Sequence, residues 1–319
     1  MTITVRAAAK FNLHLGVGPV REDGFHPLAT VYQAIGLYDD VTVSEAAEWQ
    51  VTLTAADHIA LGEIPTGDDN IVVRAGKALA AHHGIDKAAK VAIHKGIPVA
   101  GGLAGGSADA AATLVALDRL WSLETSDEDL LSLAGDLGSD VPFALIGATA
   151  IGGGRGEIVE PVTDNGAWWW VAVGNEQGLS TPAVYRAFDE HAGTAVGDPQ
   201  VPESLLMALE KGDAELLAEA LANDLQAPAL ALRPDLAQTF ADGAEAGALA
   251  VQLSGSGPTV LMLCRDAAHA REVAGAMQAK AYDRVWTAPG PVAGAHVAPN
   301  SPNPPRRHPR GSSRQWRRP

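Results

Sequence analysis

Four glycines lie within six residues, from Gly101 to Gly106, in a segment that we call the glycine loop (residues 98–107). Glycine loses more chain entropy on folding than other residues, but it lets main-chain N–H groups turn towards a small anion. The sequence that follows predicts a helix capped by Ser107, with Asp109 in its first turn, whose free N–H groups and positive dipole end would point into the loop. The segment therefore predicts a phosphate-binding loop. A glycine-rich turn that packs a helix against a strand is the structural alternative.

The glycine loop matches neither of two common nucleotide-binding motifs. Gly101 and Gly106 have the spacing of a Walker loop, but Ser107 stands where that motif has its lysine. No Gly-x-Gly-x-x-Gly register fits the segment either. Backbone amides and a few cations from other segments would therefore have to hold the phosphates.

Two ionisable residues outside the loop are candidates for the chemistry. Lys10 and Asn12 are two residues apart on a predicted strand, so their side chains point to the same face. A solvated lysine at the end of a strand is the alternative. Asp140 precedes Pro142 at the start of a short predicted helix, whose dipole would favour a negative charge there. That segment alone is equally typical of an ordinary acidic residue at a helix N-terminus.

An aromatic residue and an imidazole are adjacent at Phe25 and His26, after a predicted turn and before Pro27. Such a pair can stack on a nucleobase and form a hydrogen bond with it. A packed loop without a ligand is the more common arrangement, so this pair alone does not predict a binding site.

A second loop of small residues, Ser254-Gly255-Ser256-Gly257-Pro258, lies late in the chain. Small residues permit a close approach of the backbone to a ligand or to the glycine loop. A simple hairpin turn between two strands is the alternative.

The composition indicates a globular protein with room for two domains, since the chain has 319 residues and 47% of them are hydrophobic. The sequence contains no apolar run of about 18 residues and no leader with a basic and an apolar part, so we expect a cytoplasmic protein without a membrane segment. Its single cysteine, Cys264, excludes an internal disulfide, and we expect a buried thiol without a chemical role.

Charge is distributed unevenly along the chain. Six of the 23 basic residues lie in residues 301–319, so the other 17 face 38 acidic residues and residues 1–300 carry a net charge of −21. Such a body would repel nucleic acid, and we expect a small-molecule partner instead. Residues 299–319 are rich in Pro, Arg, Ser and Asn, which predicts a disordered basic tail.

The elements that must position these residues follow the period of the apolar positions and the turn signals between them. Strands are predicted within residues 2–54, a helix from Asn70 to His83, a strand at Val91–His94 that leads into the glycine loop, and a helix capped by Ser126. Further on, we predict two short strands between residues 147 and 160, strands at 168–173, 248–253, 259–263 and 284–287, and helices after residue 180 and at 202–220, 235–247 and 267–279.

Three motifs in this order resemble the GHMP kinase superfamily, which is named for galactokinase, homoserine kinase, mevalonate kinase and phosphomevalonate kinase. They are an early Lys-x-Asn segment, a central Pro-x3-Gly-Leu-x-Gly-Gly-Ser loop before a helix, and a late Gly-Ser-Gly-Pro loop. The resemblance covers residues 5–290. Ala108 and Phe25 stand where the family often has a serine and a tyrosine. The segments that carry the resemblance are Ala9-Lys10-Phe11-Asn12-Leu13, Asp23-Gly24-Phe25-His26, Gly101-Gly102-Leu103-Ala104-Gly105-Gly106-Ser107-Ala108-Asp109-Ala110-Ala111, Gly138-Ser139-Asp140-Val141-Pro142 and Ser254-Gly255-Ser256-Gly257-Pro258.

The resemblance implies an α+β fold with two domains and the active site in the cleft between them. The first domain would be ribosomal-protein-S5-like and span residues 1–160, the second would be an α+β domain at 161–298, and the basic tail would occupy 299–319. It also implies a small-molecule kinase that uses ATP and Mg²⁺ and phosphorylates the free 2-hydroxyl of a cytidine-diphosphate-linked polyol. We expect a monomer or a weak homodimer. Another GHMP kinase and a non-catalytic nucleotide-binding protein are the alternatives.

Site roles follow from the resemblance residue by residue. It implies that Asp140 accepts the hydroxyl proton or orients the hydroxyl, and that Lys10 lowers the charge cost at the attacking oxygen. Mg²⁺ would be held mainly by phosphate oxygens and water, with Ser107 as a candidate ligand and no dedicated protein cage. The nucleotide would contact Asn70, Lys95, Pro98, Val99, Ala100, Gly101, Gly102, Leu103, Ala104, Gly105, Gly106 and Ser107, and the polyol substrate would contact Asn12, Phe25, His26, Thr181 and Tyr185.

Overall fold

The computed structural model of the chain describes residues 1–57, 59–61, 64–192 and 197–298, so the predicted basic tail lies outside the described residues. The strands are β1 (Thr2–Val17), β2 (Leu28–Ala46), β3 (Gln50–Ala55), β4 (Ala88–Lys95), β5 (Thr149–Gly153), β6 (Ile158–Pro161), β7 (Trp168–Val173), β8 (Ala222–Asn223), β9 (Ala250–Leu253), β10 (Val260–Cys264), β11 (Val285–Gly290) and β12 (His296–Val297). The helices are α1 (Ile71–His82), α2 (Gly105–Trp121), α3 (Asp127–Leu137), α4 (Val141–Ile146), α5 (Thr181–Ala192), α6 (Glu203–Lys211), α7 (Ala214–Ala220), α8 (Gln226–Leu232), α9 (Leu236–Glu245) and α10 (Ala267–Ala279).

β1 and β2 form a long antiparallel hairpin at the centre of the first sheet, with Phe11 opposite Gln33. The order in this sheet is β12-β1-β2-β4-β3; β5 and β6 extend it beside β2, and β8 runs parallel to β1. The second half of β1 is buried on both faces, although the polar residues Lys10, Asn12 and His14 alternate with apolar ones there. Lys10 and Asn12 are therefore held in a buried strand rather than at a solvated strand end.

The second sheet has the order β11-β7-β10-β9 and is antiparallel throughout. Trp170 of β7 packs edge-on against Phe11 of β1, with a ring-centroid distance of 4.5 Å. The indole Nε1 of Trp170 also donates a hydrogen bond of 2.9 Å to Oε1 of Gln33 on β2. An apolar contact and a buried polar contact thus hold the two sheets against each other.

The alanine-rich helix α2 lies against the first sheet and begins where the glycine loop ends. Ala108, Ala110, Ala111 and Ala112 are buried there, and their short side chains permit a close approach of the helix to the strands. β4 ends at Lys95, so the loop connects the end of a strand with the start of a helix. This arrangement of helix, strand, loop and helix is the one that the sequence predicted.

The helical pattern at residues 202–220 forms two helices rather than one. Gly212 ends α6 in a left-handed conformation with φ of +66°, which glycine adopts without steric cost. The carboxylate of Asp213 then caps α7 by accepting hydrogen bonds from the backbone N–H groups of Glu215 and Leu216. The α+β class is confirmed, and within the described ranges no helix is long and apolar enough to cross a membrane.

Candidate active site

A cavity of about 880 Å³ brings most of the predicted site residues together. Its walls come from β1 and β2, the glycine loop, the starts of α2, α4 and α5, and the loop between β9 and β10. The site residues on its surface are Lys10, Asn12, Phe25, His26, Asn70, Lys95, Pro98, Val99, Ala100, Gly101, Gly102, Ala104, Gly105, Gly106, Asp140, Thr181 and Tyr185.

Lys10 and Asp140 form an ion pair at this cavity, with 3.2 Å between Nζ and Oδ1. The lysine side chain is only 9% exposed, whereas the aspartate is 32% exposed. Nζ also donates a 3.2 Å hydrogen bond to Oδ1 of Asn12 and lies 4.9 Å from the ring centre of Tyr32. The pair therefore presents a positive charge and an accessible carboxylate oxygen at one point of the wall.

Two tyrosines border this pair, and sequence reasoning missed Tyr32. Burial, followed by the negative charge of Asp140, raises the pKa of Tyr185 to about 12 and raises that of Tyr32 well above its ordinary value. Both phenols are consequently neutral at physiological pH and act as apolar walls with a hydroxyl group. No local signal identified Tyr32, because an aromatic residue inside a strand is typical of an ordinary core position.

The glycine loop enters α2 earlier than predicted, and Ser107 is not the helix cap. The cap is Ala104, in a left-handed conformation with φ of +55°, and no side chain forms a capping hydrogen bond there. Ser107 instead lies in the first turn, because the left-handed residues Gly102 and Ala104 turn the chain into the helix sooner. The uncapped end of α2 therefore reaches the cavity wall at Gly105 and Gly106.

The late loop, residues 254–258, braces the glycine loop as predicted. The hydroxyl of Ser254 donates a hydrogen bond of 3.0 Å to the carbonyl of Gly102, and the N–H of Thr259 donates to the carbonyl of Gly101 at 3.2 Å. A Cβ added to Gly102 would lie 2.5 Å from the Ser254 carbonyl oxygen. The same segment also forms the hairpin turn between β9 and β10, so it is both a hairpin turn and a contact of the glycine loop.

An aromatic group forms the other end of the cavity. Nδ1 of His26 is hydrogen-bonded to the Gly18 carbonyl at 2.8 Å, and its ring centre lies 5.1 Å from that of Tyr185. The side chain of Phe25 is half exposed, and the guanidinium of Arg155 lies over its ring at 4.9 Å. Sequence reasoning missed Arg155, although its position inside a glycine-rich turn between two short strands was a usable signal.

Several predicted residues have side chains that are already engaged. Oδ1 of Asn70 caps α1 by accepting a hydrogen bond of 2.9 Å from the N–H of Val72, and the hydroxyls of Thr181 and Ser256 lie 2.8 Å apart. The ammonium of Lys95 is held by two buried carboxylates.

Leu103 and Ser107 are the two predicted site residues that do not line the cavity. The side chain of Leu103 is in the core, and its carbonyl accepts a 3.2 Å hydrogen bond from the N–H of Lys10. Cys264 is also buried, and burial raises the pKa of its thiol to about 12, so it carries no thiolate chemistry at neutral pH.

Comparison with known proteins relates both halves of the chain to one family. The model of the GHMP kinases N terminal domain matches residues 70–148, and that of the GHMP kinases C terminal domain matches residues 205–283. A relative from Nocardioides sp., named 4-diphosphocytidyl-2-C-methyl-D-erythritol kinase, is 57% identical over 92% of this chain and 99% of its own. One of the same name from Salinispora arenicola is 50% identical over 92% of this chain and 93% of its own.

Solved structures agree with this relationship. A crystal structure of 4-(cytidine 5'-diphospho)-2C-methyl-D-erythritol kinase matches with a TM-score of 0.73 and 32% identity, over 91% of this chain and 98% of that one. Homoserine kinase from Cytophaga hutchinsonii matches with a TM-score of 0.70 at 18% identity, over 93% of this chain and 97% of that one. The second likeness is one of fold alone.

Proposed function

Since the chain belongs to the GHMP kinase family and, within it, to the 4-diphosphocytidyl-2-C-methyl-D-erythritol kinases, we propose that it transfers the γ-phosphoryl group of ATP to the 2-hydroxyl of 4-diphosphocytidyl-2-C-methyl-D-erythritol. This reaction is a step of non-mevalonate isoprenoid precursor biosynthesis. The observation that carries the proposal is the Lys10–Asp140 pair, which lies in one cavity with the uncapped start of α2.

Phosphoryl transfer requires positioning and charge stabilisation more than covalent chemistry. In the proposed mechanism, the backbone amides of residues 98–107 hold the ATP phosphates at the N-terminus of α2. Asn70 and Lys95 line the nucleotide end of the cavity. The loop thereby replaces the Walker lysine that the sequence lacks.

Asp140 has an accessible carboxylate in the site, and we assign it the role of acting on the hydroxyl group that attacks ATP. It accepts the proton of this hydroxyl or orients the hydroxyl for in-line attack on the γ-phosphorus. The ammonium of Lys10 offsets the negative charge that develops on the attacking oxygen. Asn12 fixes Lys10 through the hydrogen bond between Nζ and Oδ1, and it lies beside the polyol.

Mg²⁺ is the proposed metal, and the site offers oxygen donors of the kind it prefers. The described residues contain no group of three or more His, Cys, Asp and Glu side chains that could form a cage, so phosphate oxygens and water would supply most ligands. The hydroxyl of Ser107, the candidate ligand that the resemblance implies, does not line the cavity, whereas the carboxylate of Asp140 does. The ion supplies charge neutralisation for the triphosphate.

The aromatic end of the cavity suits the cytidine diphosphate part of the substrate. The buried ring of His26 lines this end beside Tyr185, and Phe25 and Tyr185 offer surfaces on which cytosine can stack. Arg155 places a positive charge at this end, which complements a diphosphate. Thr181 lies at the start of α5 beside the predicted polyol region.

The proposal includes a cytoplasmic monomer or weak homodimer that does not bind nucleic acid. The net charge of −21 on residues 1–300 supports the last part, because a polyanion would be repelled.

The decisive experiment is ADP release by the purified protein with ATP and Mg²⁺, in parallel reactions with the cytidylated alcohol, mevalonate and homoserine. Turnover with the cytidylated alcohol alone is expected. Turnover with another alcohol would support kinase activity but contradict the assignment of the aromatic end to the cytidine diphosphate group. Nucleotide binding without turnover on any alcohol would favour a non-catalytic nucleotide-binding protein.

A further inference from the structure

Three charged side chains form a buried cluster beneath the glycine loop: Asp39 on β2, Lys95 at the end of β4, and Asp109 near the start of α2. Their side chains are 0%, 3% and 8% exposed. Nζ of Lys95 donates to Oδ2 of Asp39 and, at 2.6 Å, to Oδ2 of Asp109. The cluster therefore joins the strand before the loop to the helix after it.

Asp39 also fixes the first residues of the connection from β4 to α2. Its Oδ1 accepts hydrogen bonds from the N–H groups of Gly96 at 2.8 Å and Ile97 at 2.9 Å. At the far end, a Cβ added to Gly105 would lie 3.3 Å from Nζ of Lys95, so the cluster lies directly under the first residue of α2. Both ends of the connection are consequently tied to one group of buried charges.

The ammonium of Lys95 has two carboxylate partners, so little of its charge remains for a phosphate. Burial, followed by the nearby charge of Asp39, raises the pKa of Asp109 well above its usual range, so a second ionised carboxylate at this position is costly. Oδ1 of Asp109 is buried and has no hydrogen-bond partner among the described residues. The cluster is thus organised around its own members.

We propose that Asp39, Lys95 and Asp109 are positioning residues for ATP, which set the distance between the two ends of the glycine loop. In this arrangement Lys95 acts on the nucleotide through the shape of the loop and not by contact with phosphate. The inference rests on the proposed function only in taking the glycine loop as the nucleotide site.

Asp109→Ala tests the inference because a purely electrostatic role and a positioning role predict opposite changes in the affinity for nucleotide. Removing a carboxylate beside a polyanion should tighten binding if the residue contributes only its charge. Loss of the tie to Lys95 should instead weaken binding, and we expect the Kd for a non-hydrolysable ATP analogue with Mg²⁺ to rise about tenfold. Asp109→Asn, whose amide oxygen can still accept from Lys95, should restore affinity to within roughly threefold of the wild type.

Asp69→Ala is the matched control, because Asp69 is an exposed carboxylate on the same cavity wall outside the cluster. Its analogue affinity should be unchanged or tighter. In turnover, Asp109→Ala should raise the KM for ATP while the KM for the alcohol stays unchanged, a split that general destabilisation would not produce. If Asp109→Ala does not fold, Asp109→Ser, which is too short to reach Lys95, replaces it.

Unchanged or tighter analogue binding by the folded Asp109 variant would overturn the inference, as would equal effects of the Asp109 and Asp69 substitutions. Because analogue binding requires no turnover, a wild type that binds the analogue but phosphorylates no alcohol would refute the proposed function alone. A wild type that binds no analogue would overturn both.

Discussion

Nζ of Lys10 and Oδ1 of Asp140 lie 3.2 Å apart at the cavity, although one residue belongs to a central strand and the other precedes a short helix. The pair forms only when α4 docks against β1, so neither segment carries the site by itself. The buried lysine is fixed by Asn12 and by the ring of Tyr32, whereas the carboxylate is accessible from the cavity. This asymmetry supports our proposal that Asp140 is the group that contacts the substrate.

Asp140→Asn should lower kcat by roughly 10²–10⁴-fold if Asp140 accepts the hydroxyl proton. Asparagine keeps the size of the side chain but removes the negative charge and the basic oxygen. The affinity for the ATP analogue should change little, because we assign the phosphates to the glycine loop. ADP release in single-substrate titrations gives kcat and KM separately. Asp136→Asn, an exposed change in α3, is the control, and near-normal turnover by folded Asp140→Asn would refute the assignment.

His26→Ala should raise the KM for the cytidylated alcohol by about tenfold, because it removes a ring that lines the aromatic end and packs against Tyr185. The KM for ATP should stay unchanged, since the glycine loop is untouched. His94→Ala, an exposed histidine on β4, provides the comparison. If His26→Ala leaves the KM for the cytidylated alcohol unchanged, the result would favour a different GHMP kinase substrate.

Gly106→Ala should leave the fold intact and yet weaken ATP binding. An added Cβ at Gly106 meets no atom within 4 Å, and the residue lies on the cavity wall in the first turn of α2. The new methyl group would therefore occupy space that the phosphates need, and we expect the KM for ATP to rise by about tenfold.

Gly135→Ala is the matched control for this change, since an added Cβ there also meets no atom, and Gly135 lies in α3 away from the cavity. Both substitutions replace a helical glycine and should raise the stability to unfolding by about 0.5–1 kcal/mol at most. Equal KM values for ATP in the two variants would contradict the assignment of the glycine loop to the ATP phosphates.

Local signals predicted the elements well where one segment determines its own structure. Asn70 and Ser126 cap their helices through side-chain hydrogen bonds to the next turn, as their residue types indicate. The predicted start of α2 was wrong because Ala104 adopts a left-handed conformation that is unfavourable for alanine. The surrounding contacts of the glycine loop impose that conformation, and no residue pattern shows them.

The candidate site was predictable for Lys10 and Asp140 because the family resemblance identifies both residues, although neither segment alone decides their role. It was not predictable where the role depends on a partner from a distant segment. Lys95 illustrates this limit, because the resemblance implies a contact with the nucleotide, whereas Asp39 and Asp109 enclose its ammonium in the fold. Arg155 similarly becomes a site residue only because its turn folds over Phe25.

The stability of the protein should depend on pH through Asp109, whose pKa is raised in the folded state. A carboxyl with a raised pKa binds its proton more tightly in the folded than in the unfolded chain, so folding gains stability while the proton is bound. That stability is fully present below the ordinary value of 3.8 and is lost as pH rises through the raised pKa. Asp109→Asn cannot lose a proton, so the wild type should become less stable relative to this variant as pH increases from 4 towards neutrality.

Urea unfolding at a series of pH values measures this difference in the free energy of unfolding between wild type and Asp109→Asn. Asp266→Asn supplies a control of opposite sign, because hydrogen bonds from the N–H groups of His269 and Ala268 lower the pKa of Asp266. The stabilisation by Asp266 is present above the ordinary pKa and is lost as pH falls through the lowered one. A difference between wild type and Asp109→Asn that is constant between pH 4 and 7, while the Asp266 control varies below pH 4 as expected, would show that Asp109 does not change its protonation in that range.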